Sequence, residues 1–138
     1  MAAGPASNAL HAPGELLFAY GTLQRGGEYH HLLKDGGAIF IGEAKTTVAY
    51  PLVMLDYPCL IDQAGVGHRI TGELYRFPKV ALWQLIDALE GHPVEYRRCH
   101  IDLESDSGHL TAWTYFYQLQ VAPLSSLQLL ERYWPTAT

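Results

Sequence analysis

No apolar run in the 138-residue sequence approaches the ~20 residues that a membrane-spanning helix needs, so a membrane protein is not expected. Positive charge is also scarce. Nine Lys and Arg stand against fourteen Asp and Glu, for a formal charge of -5, and the longest basic cluster is Arg97-Arg98. Such a chain has nothing with which to follow a phosphate backbone, so nucleic acid is not an expected partner. Cysteine is limited to Cys59 and Cys99, which have no CxxC spacing and read as buried thiols rather than a redox or zinc pair, with a disulfide left open. His30-His31, His68, His92, His100 and His109 form no HExxH or HxH pair, so no metal site is expected. The GxxxxGK[ST] and GxGxxG patterns are absent, which removes support for a phosphate-bearing cofactor. Residues 1–14, rich in Ala, Gly, Pro, Ser and Asn, lack a positive n-region followed by an apolar h-region. They read as a flexible tail on a cytoplasmic protein.

What remains is 49% hydrophobic and 12% aromatic, enough for one domain over 15–138 with a single core. Glu15 to Tyr20 reads as a strand, Tyr29 to Lys34 as a short helix stopped by Gly36-Gly37, and 38–57 as two or three antiparallel strands with bulges near Gly42 and Pro51. Pro58 to Asp62 is a short extended piece, and Arg69 to Phe77 is the next strand. Lys79 to Leu89 is the clearest helix, with Leu82, Leu85, Ile86 and Leu89 on one face and Gly91 and Pro93 ending it. Tyr96 to Leu103 and Leu110 to Leu119 flank a polar turn and read as a hairpin, the second strand apolar on both faces. Pro123 to Trp134 reads as an amphipathic helix with Leu124, Leu127, Leu130 and Trp134 inward. Hairpins with few helices predict an α+β fold: a small, mixed but mostly antiparallel bent sheet or β-barrel flanked by a few helices.

Two segments carry the chemistry. Tyr20-Gly21-Thr22-Leu23 closes the apolar run Leu16 to Ala19 in backbone N–H groups that could hold an anion. Taken alone, it is also a plain strand-ending turn with Gly21 at positive φ and Thr22 capping the next segment. The second is Glu90, at the C-terminus of the main helix and on the edge of its apolar stripe, with Gln84 and Asp87 pointing away. The helix dipole opposes a negative charge there, and partial burial adds a cost of the same sign, so both raise its pKa toward the value a general base needs. A solvated helix-end carboxylate is the ordinary alternative. Tyr75, Tyr96, Tyr115 and Tyr117 could present hydroxyls to a pocket, Tyr117 being the preferred candidate, and His92 is a loop residue near enough to tune Glu90.

The ordered segments Leu17-Phe18-Ala19-Tyr20-Gly21-Thr22-Leu23-Gln24-Arg25-Gly26, Tyr57-Pro58-Cys59-Leu60, Gly72-Glu73-Leu74-Tyr75, Leu85-Ile86-Asp87-Ala88-Leu89-Glu90-Gly91 and Tyr96-Arg97-Arg98 resemble the γ-glutamylcyclotransferase superfamily, most of all its γ-glutamylamine cyclotransferase and AIG2-like branch. The resemblance implies a cofactor-free reaction on a small-molecule γ-glutamyl substrate. In it the α-amine attacks the γ-carbonyl of the same molecule to give 5-oxoproline and a free amine or amino acid. By position, Glu90 corresponds to the family's catalytic glutamate and Tyr20, Gly21, Thr22 and Leu23 to its substrate-binding loop. Gln24 departs from the Lys or Arg that similar sequences often carry. A noncatalytic binding domain of the same fold is the second reading, and an amide-processing enzyme with a cysteine nucleophile is the third, without a recognisable histidine partner. Which amine leaves, and the oligomeric state, are not legible.

Overall fold

The structure is a computed structural model that describes residues 15–135; the tail expected over 1–14 lies outside the described residues. Five strands close into a barrel in the order β1 (Leu16–Ala19), β5 (His68–Arg76), β2 (Ile39–Tyr50), β6 (Tyr96–Ser105), β7 (Gly108–Tyr117). Every adjacent pair is antiparallel except the closing one, where β7 meets β1 in parallel at Leu17 and Trp113. A small sheet of β3 (Leu52–Met54) and β4 (Pro58–Leu60) lies beside it, joined to β7 by a bridge from Ile61 to Tyr117. Helix α1 (His30–Asp35) follows the loop after β1, and α2 (Val80–Glu90) lies between β5 and β6. The expected α+β architecture with a barrel-like sheet is the observed one.

Alternation along the strands builds two cores. Phe18, Ala44, Ile70, Leu74, Ile101, Leu103, Ala112 and Phe116, drawn from all five barrel strands, form one cluster; Leu17, Tyr75, Tyr96, Trp113 and Tyr115 point the other way and pack with the helices. Successive strand side chains alternate between faces, so a strand covered on both sides is apolar throughout, as β7 is. The bends are built by local exceptions. Register shifts interrupt β2 between Phe40 and Gly42 and between Lys45 and Ala49, where bulges add curvature. Gly72 faces Ala19 so closely that a Cβ would sit 2.5 Å from its carbonyl oxygen, so only glycine lets β1 and β5 cross there.

Two expectations need correction. In α2 the buried residues are Leu82, Trp83 and Ile86, each contributing roughly 1.5–3 kcal/mol by burial, whereas Leu85 is 46% exposed. The helix settles on the barrel through its largest side chain, Trp83, and the buried stripe rotates toward it. The C-terminal segment is not a long helix: one 3₁₀ turn, Leu124–Ser126, is followed by extended chain, and Trp134 is 67% exposed. Leu124 and Leu127 do pack on the helix-side core, but Leu130 N–H donates to Leu52 O at 2.9 Å and Thr71 N–H to Glu131 O at 3.3 Å. A helix would have used those backbone groups internally; here they tie the segment to the small sheet at β3 and to the barrel at β5.

Candidate active site

The loop after β1 and the last turn of α2 meet at one cavity. It is lined by Tyr20, Gly21, Thr22 and Leu23, by Tyr29, Tyr57 and Pro58, and by Leu89, Glu90, Glu95, Tyr96 and Tyr115. The loop holds its shape by committing its carbonyls. Tyr20 O accepts from Gln24 Nε2, Gly21 O from Gln24 N–H at 3.1 Å, Thr22 O from Tyr29 N–H at 3.0 Å and Leu23 O from His30 Nδ1 at 2.9 Å. The N–H groups of Gly21, Thr22 and Leu23 have no acceptor among the described residues. Backbone donors left over while every nearby carbonyl is taken make a local patch of positive potential.

Gly21 does not adopt the expected positive φ. A Cβ there would meet the Pro58 ring on the cavity wall at 3.4 Å, an ordinary van der Waals contact. Gln24 is buried, and its amide spans three carbonyls: Tyr20 and Gly21 in its own loop and Tyr133 in the C-terminal segment, at 3.0, 3.3 and 2.9 Å. At the loop's exit, Glu73 is 4% exposed and accepts from Arg25 N–H, Arg25 Nε and the Tyr75 hydroxyl, which fixes the loop to β5. Tyr20 itself crosses to β7, its hydroxyl donating to Tyr115 O.

Glu90 ends α2. Gly91 follows at φ 65°, with its N–H on Ala88 O and the His92 N–H on Asp87 O, the paired bonds of a Schellman stop. The partly buried Glu90 carboxylate has no hydrogen-bond partner among the described residues. Burial pushes its pKa up to about 7, with further contributions from Glu95 and Asp87. A carboxylate in this state is half-ionised near neutral pH and can both take and return a proton.

Asp87 does not point away, as the helical projection had it. Its two oxygens accept from the Tyr115 hydroxyl at 2.7 Å and from Arg98 at 2.9 Å, and the Arg98 guanidinium, 1% exposed, lies over the rings of Trp83 and Trp113. This cluster locks the turn carrying Glu90 onto β6 and β7. The alternation of Tyr96 and Arg98 on one face of β6 was the available signal for a buried cation, and with it for a buried anion on the helix. His92 is tied down as well, its Nδ1 accepting from Arg98 N–H at 3.0 Å.

Of the tyrosine candidates, Tyr96 and Tyr115 line the cavity. Tyr117 stands just behind, edge-on to Tyr96 with ring centroids 5.2 Å apart, and Tyr75 turns its hydroxyl to Glu73. Cys59 and Cys99 are free thiols. Burial raises the pKa of Cys59, which keeps it protonated, and its sulfur contacts the Tyr96 hydroxyl and Tyr57 O rather than a histidine. No group of three or more metal-ligating side chains occurs among the described residues, and no helix there is long and apolar enough to cross a membrane.

This arrangement has relatives. A protein of Methanocaldococcus jannaschii is 38% identical over 105 residues, covering 75% of this chain and 84% of that one. The gamma-glutamylaminecyclotransferase of Bos taurus is 37% identical over 107 residues, covering 72% of this chain and 63% of that protein. The crystal structure of an AIG2-like protein from Mus musculus superposes with a TM-score of 0.81 at 26% identity, over 88% of this chain and 89% of that one. With residues 17–135, loop and helix end included, matching its family model, the chain belongs to the gamma-glutamyl cyclotransferase, AIG2-like family and is an enzyme of that type.

Proposed function

We propose that the protein converts an L-γ-glutamyl amine or γ-glutamyl amino acid into 5-oxoproline and the free amine, with Glu90 as general base and acid. The observation that carries this reading is the sharing of one cavity by an unpartnered carboxylate of raised pKa and a loop with three unused N–H groups. The substrate's α-ammonium gives a proton to Glu90 and becomes a nucleophile. Its nitrogen attacks the γ-carbonyl carbon of the same molecule, forming the five-membered ring and a tetrahedral oxyanion. Collapse breaks the bond to the amine nitrogen, which takes the proton that Glu90 returns; the ring nitrogen then gives its second proton to the freed carboxylate, which passes it to the departing amine, so that the products are neutral lactam and ammonium.

Each group is asked for an ordinary contribution. A positioned general base accounts for about 10²–10⁴-fold. Loop N–H groups that hold the α-carboxylate or the oxyanion stabilise charge where water would otherwise have to reorganise, at roughly 3–4 kcal/mol per oxyanion donor. The aromatic walls of Tyr29, Tyr57 and Tyr96 fold the glutamyl chain so that the reacting atoms approach about 3–3.5 Å.

The test is release of 5-oxoproline from a panel of γ-glutamyl amines and amino acids by the wild type and by Glu90→Gln. Turnover by the wild type and loss of about 10²–10⁴-fold in the variant is the expected result. A variant at full rate overturns the role of Glu90; silence of the wild type on the whole panel favours a binding domain.

A further inference from the structure

The chain passes from α2 to β6 through residues 91–95, and His92 in that turn is bonded in two directions. Its backbone N–H donates to Asp87 O at 3.0 Å, in the last turns of the helix, and its ring Nδ1 accepts from Arg98 N–H at 3.0 Å, on β6. Arg98 in turn donates from its guanidinium to Asp87 Oδ2 at 2.9 Å. Asp87, His92 and Arg98 therefore form a closed circuit of hydrogen bonds, and Glu90 lies inside the stretch of chain that the circuit holds.

The sheet explains why β6 has an N–H to give. Arg98 stands opposite Tyr115 on β7, but along its other edge β6 pairs with β2 only at Leu103, Glu104 and Ser105. Among the described residues no strand meets that edge at Arg98, and a buried N–H left without an acceptor costs about 1–3 kcal/mol. The imidazole fills the place of the missing strand. Because Nδ1 accepts, the hydrogen of the neutral ring belongs on Nε2. Glu90 has no comparable support. Its carboxylate lacks a hydrogen-bond partner among the described residues, so it goes where its backbone carries it.

Resting on the cyclotransferase reading above, we propose that His92 is a positioning residue for Glu90: by accepting the Arg98 N–H it pins the helix end to β6 and keeps the carboxylate aimed into the cavity and away from water. Release of the turn has two effects. Misplacement by about 1 Å lowers turnover by about 10²-fold while the glutamyl head stays on the loop N–H groups, so kcat suffers and KM changes little. Water reaching the carboxylate also relieves the burial that pushes its pKa up to about 7, so its ionisation moves down toward the ordinary range. Of the other groups facing Glu90, Asp87 keeps Arg98 as its cation and Glu95 stays in the turn. Tyr20, Tyr29, Cys59, Tyr96 and Tyr115 have raised pKa values and stay uncharged near neutrality.

The experiment measures kcat and KM for 5-oxoproline release from about pH 5 to about pH 9, in wild type, His92→Asn and His92→Leu, with denaturant unfolding alongside. The substrate is the γ-glutamyl conjugate of the panel above that the wild type turns over fastest. Asn places Oδ1 where His places Nδ1 and keeps the acceptor; Leu keeps the bulk and removes it. Neither carries an imidazole's charge, so a difference between them is not that charge. The Leu variant is expected to lose about tenfold or more in kcat with KM within about twofold, and its rising limb to move down by about half a pH unit or more. The Asn variant is expected to keep kcat within about threefold and its limb near pH 7. If the Leu chain does not fold, His92→Gln, whose amide reaches past the Nδ1 position, takes its place under the same criteria. Loss of stability with kcat and the limb unmoved, or equal impairment of the Asn and Leu variants, overturns the role of His92 and leaves the reaction itself standing. No 5-oxoproline from any conjugate in the wild type overturns both.

Discussion

Two carboxylates on consecutive turns of α2 have opposite fates. Asp87 is saturated: Arg98 and the Tyr115 hydroxyl hold both its oxygens, and two tryptophan rings sandwich the cation. Glu90, three residues on, has burial without partners and a pKa pushed up to about 7. The difference arises from what the sheet presents. Toward Asp87, β6 and β7 offer a guanidinium and a phenol; toward Glu90 the loop after β1 offers a cavity. One carboxylate is fully bonded and the other has no bonds among the described residues, although both belong to one helix end.

Opening the saturated side should have the largest effect. Arg98→Ala leaves the partly buried Asp87 with no cation and empties a fully buried site, and is expected to cost about 3–5 kcal/mol in denaturant unfolding. The surviving activity should show its acid limb at higher pH, because an uncompensated Asp87 opposes ionisation of Glu90 more strongly. Neutralising the open side should do the reverse. Glu90's folded pKa lies above its unfolded value, so its contribution to stability is fully present below about 4.5 and is lost as pH rises through about 7. Glu90→Gln should therefore be more stable than wild type at pH 8, by up to about 3 kcal/mol, and gain little at pH 4, as thermal unfolding at the two pH values would show. In the wild type the same ionisation should appear as a rising limb of kcat/KM near pH 7. A smaller effect is expected at the loop after β1. Gln24→Ala leaves carbonyls unpaired and should cost about 1–3 kcal/mol, with KM rising more than kcat falls because the loop and not the base is disturbed.

Much of this was legible in the residues themselves. The alternation in 96–119 set out the hairpin, Gly91 marked the helix end, and the loop and Glu90 proved to line the same cavity. The failures have physical reasons. Helical periodicity treats Leu85 and Trp83 by hydropathy alone, but the larger ring wins the groove on the barrel. A projection of α2 put Asp87 outside because it could not know that β6 would supply a buried arginine to receive it. Leucines spaced through 123–134 imitate a helix, yet the segment finds its backbone partners on the barrel strand β5 and on β3 of the small sheet instead. Gln24 and Glu73 were invisible as supports because their partners are backbone groups or distant in sequence.

The bond from Gln24 to Tyr133 has one more consequence. Together with the Leu130 to Leu52 and Glu131 to Thr71 bonds, it makes the wall of the cavity and the C-terminal strap a single cooperative unit. A surface loop ordinarily frays on its own at little cost; this one can open only by peeling the strap from two strands. The bonded amides of the loop, those of Gln24, Gly27 and Tyr29, should accordingly be protected from exchange like those of the barrel, while the free N–H groups of Gly21, Thr22 and Leu23 are held ready-formed at the cavity.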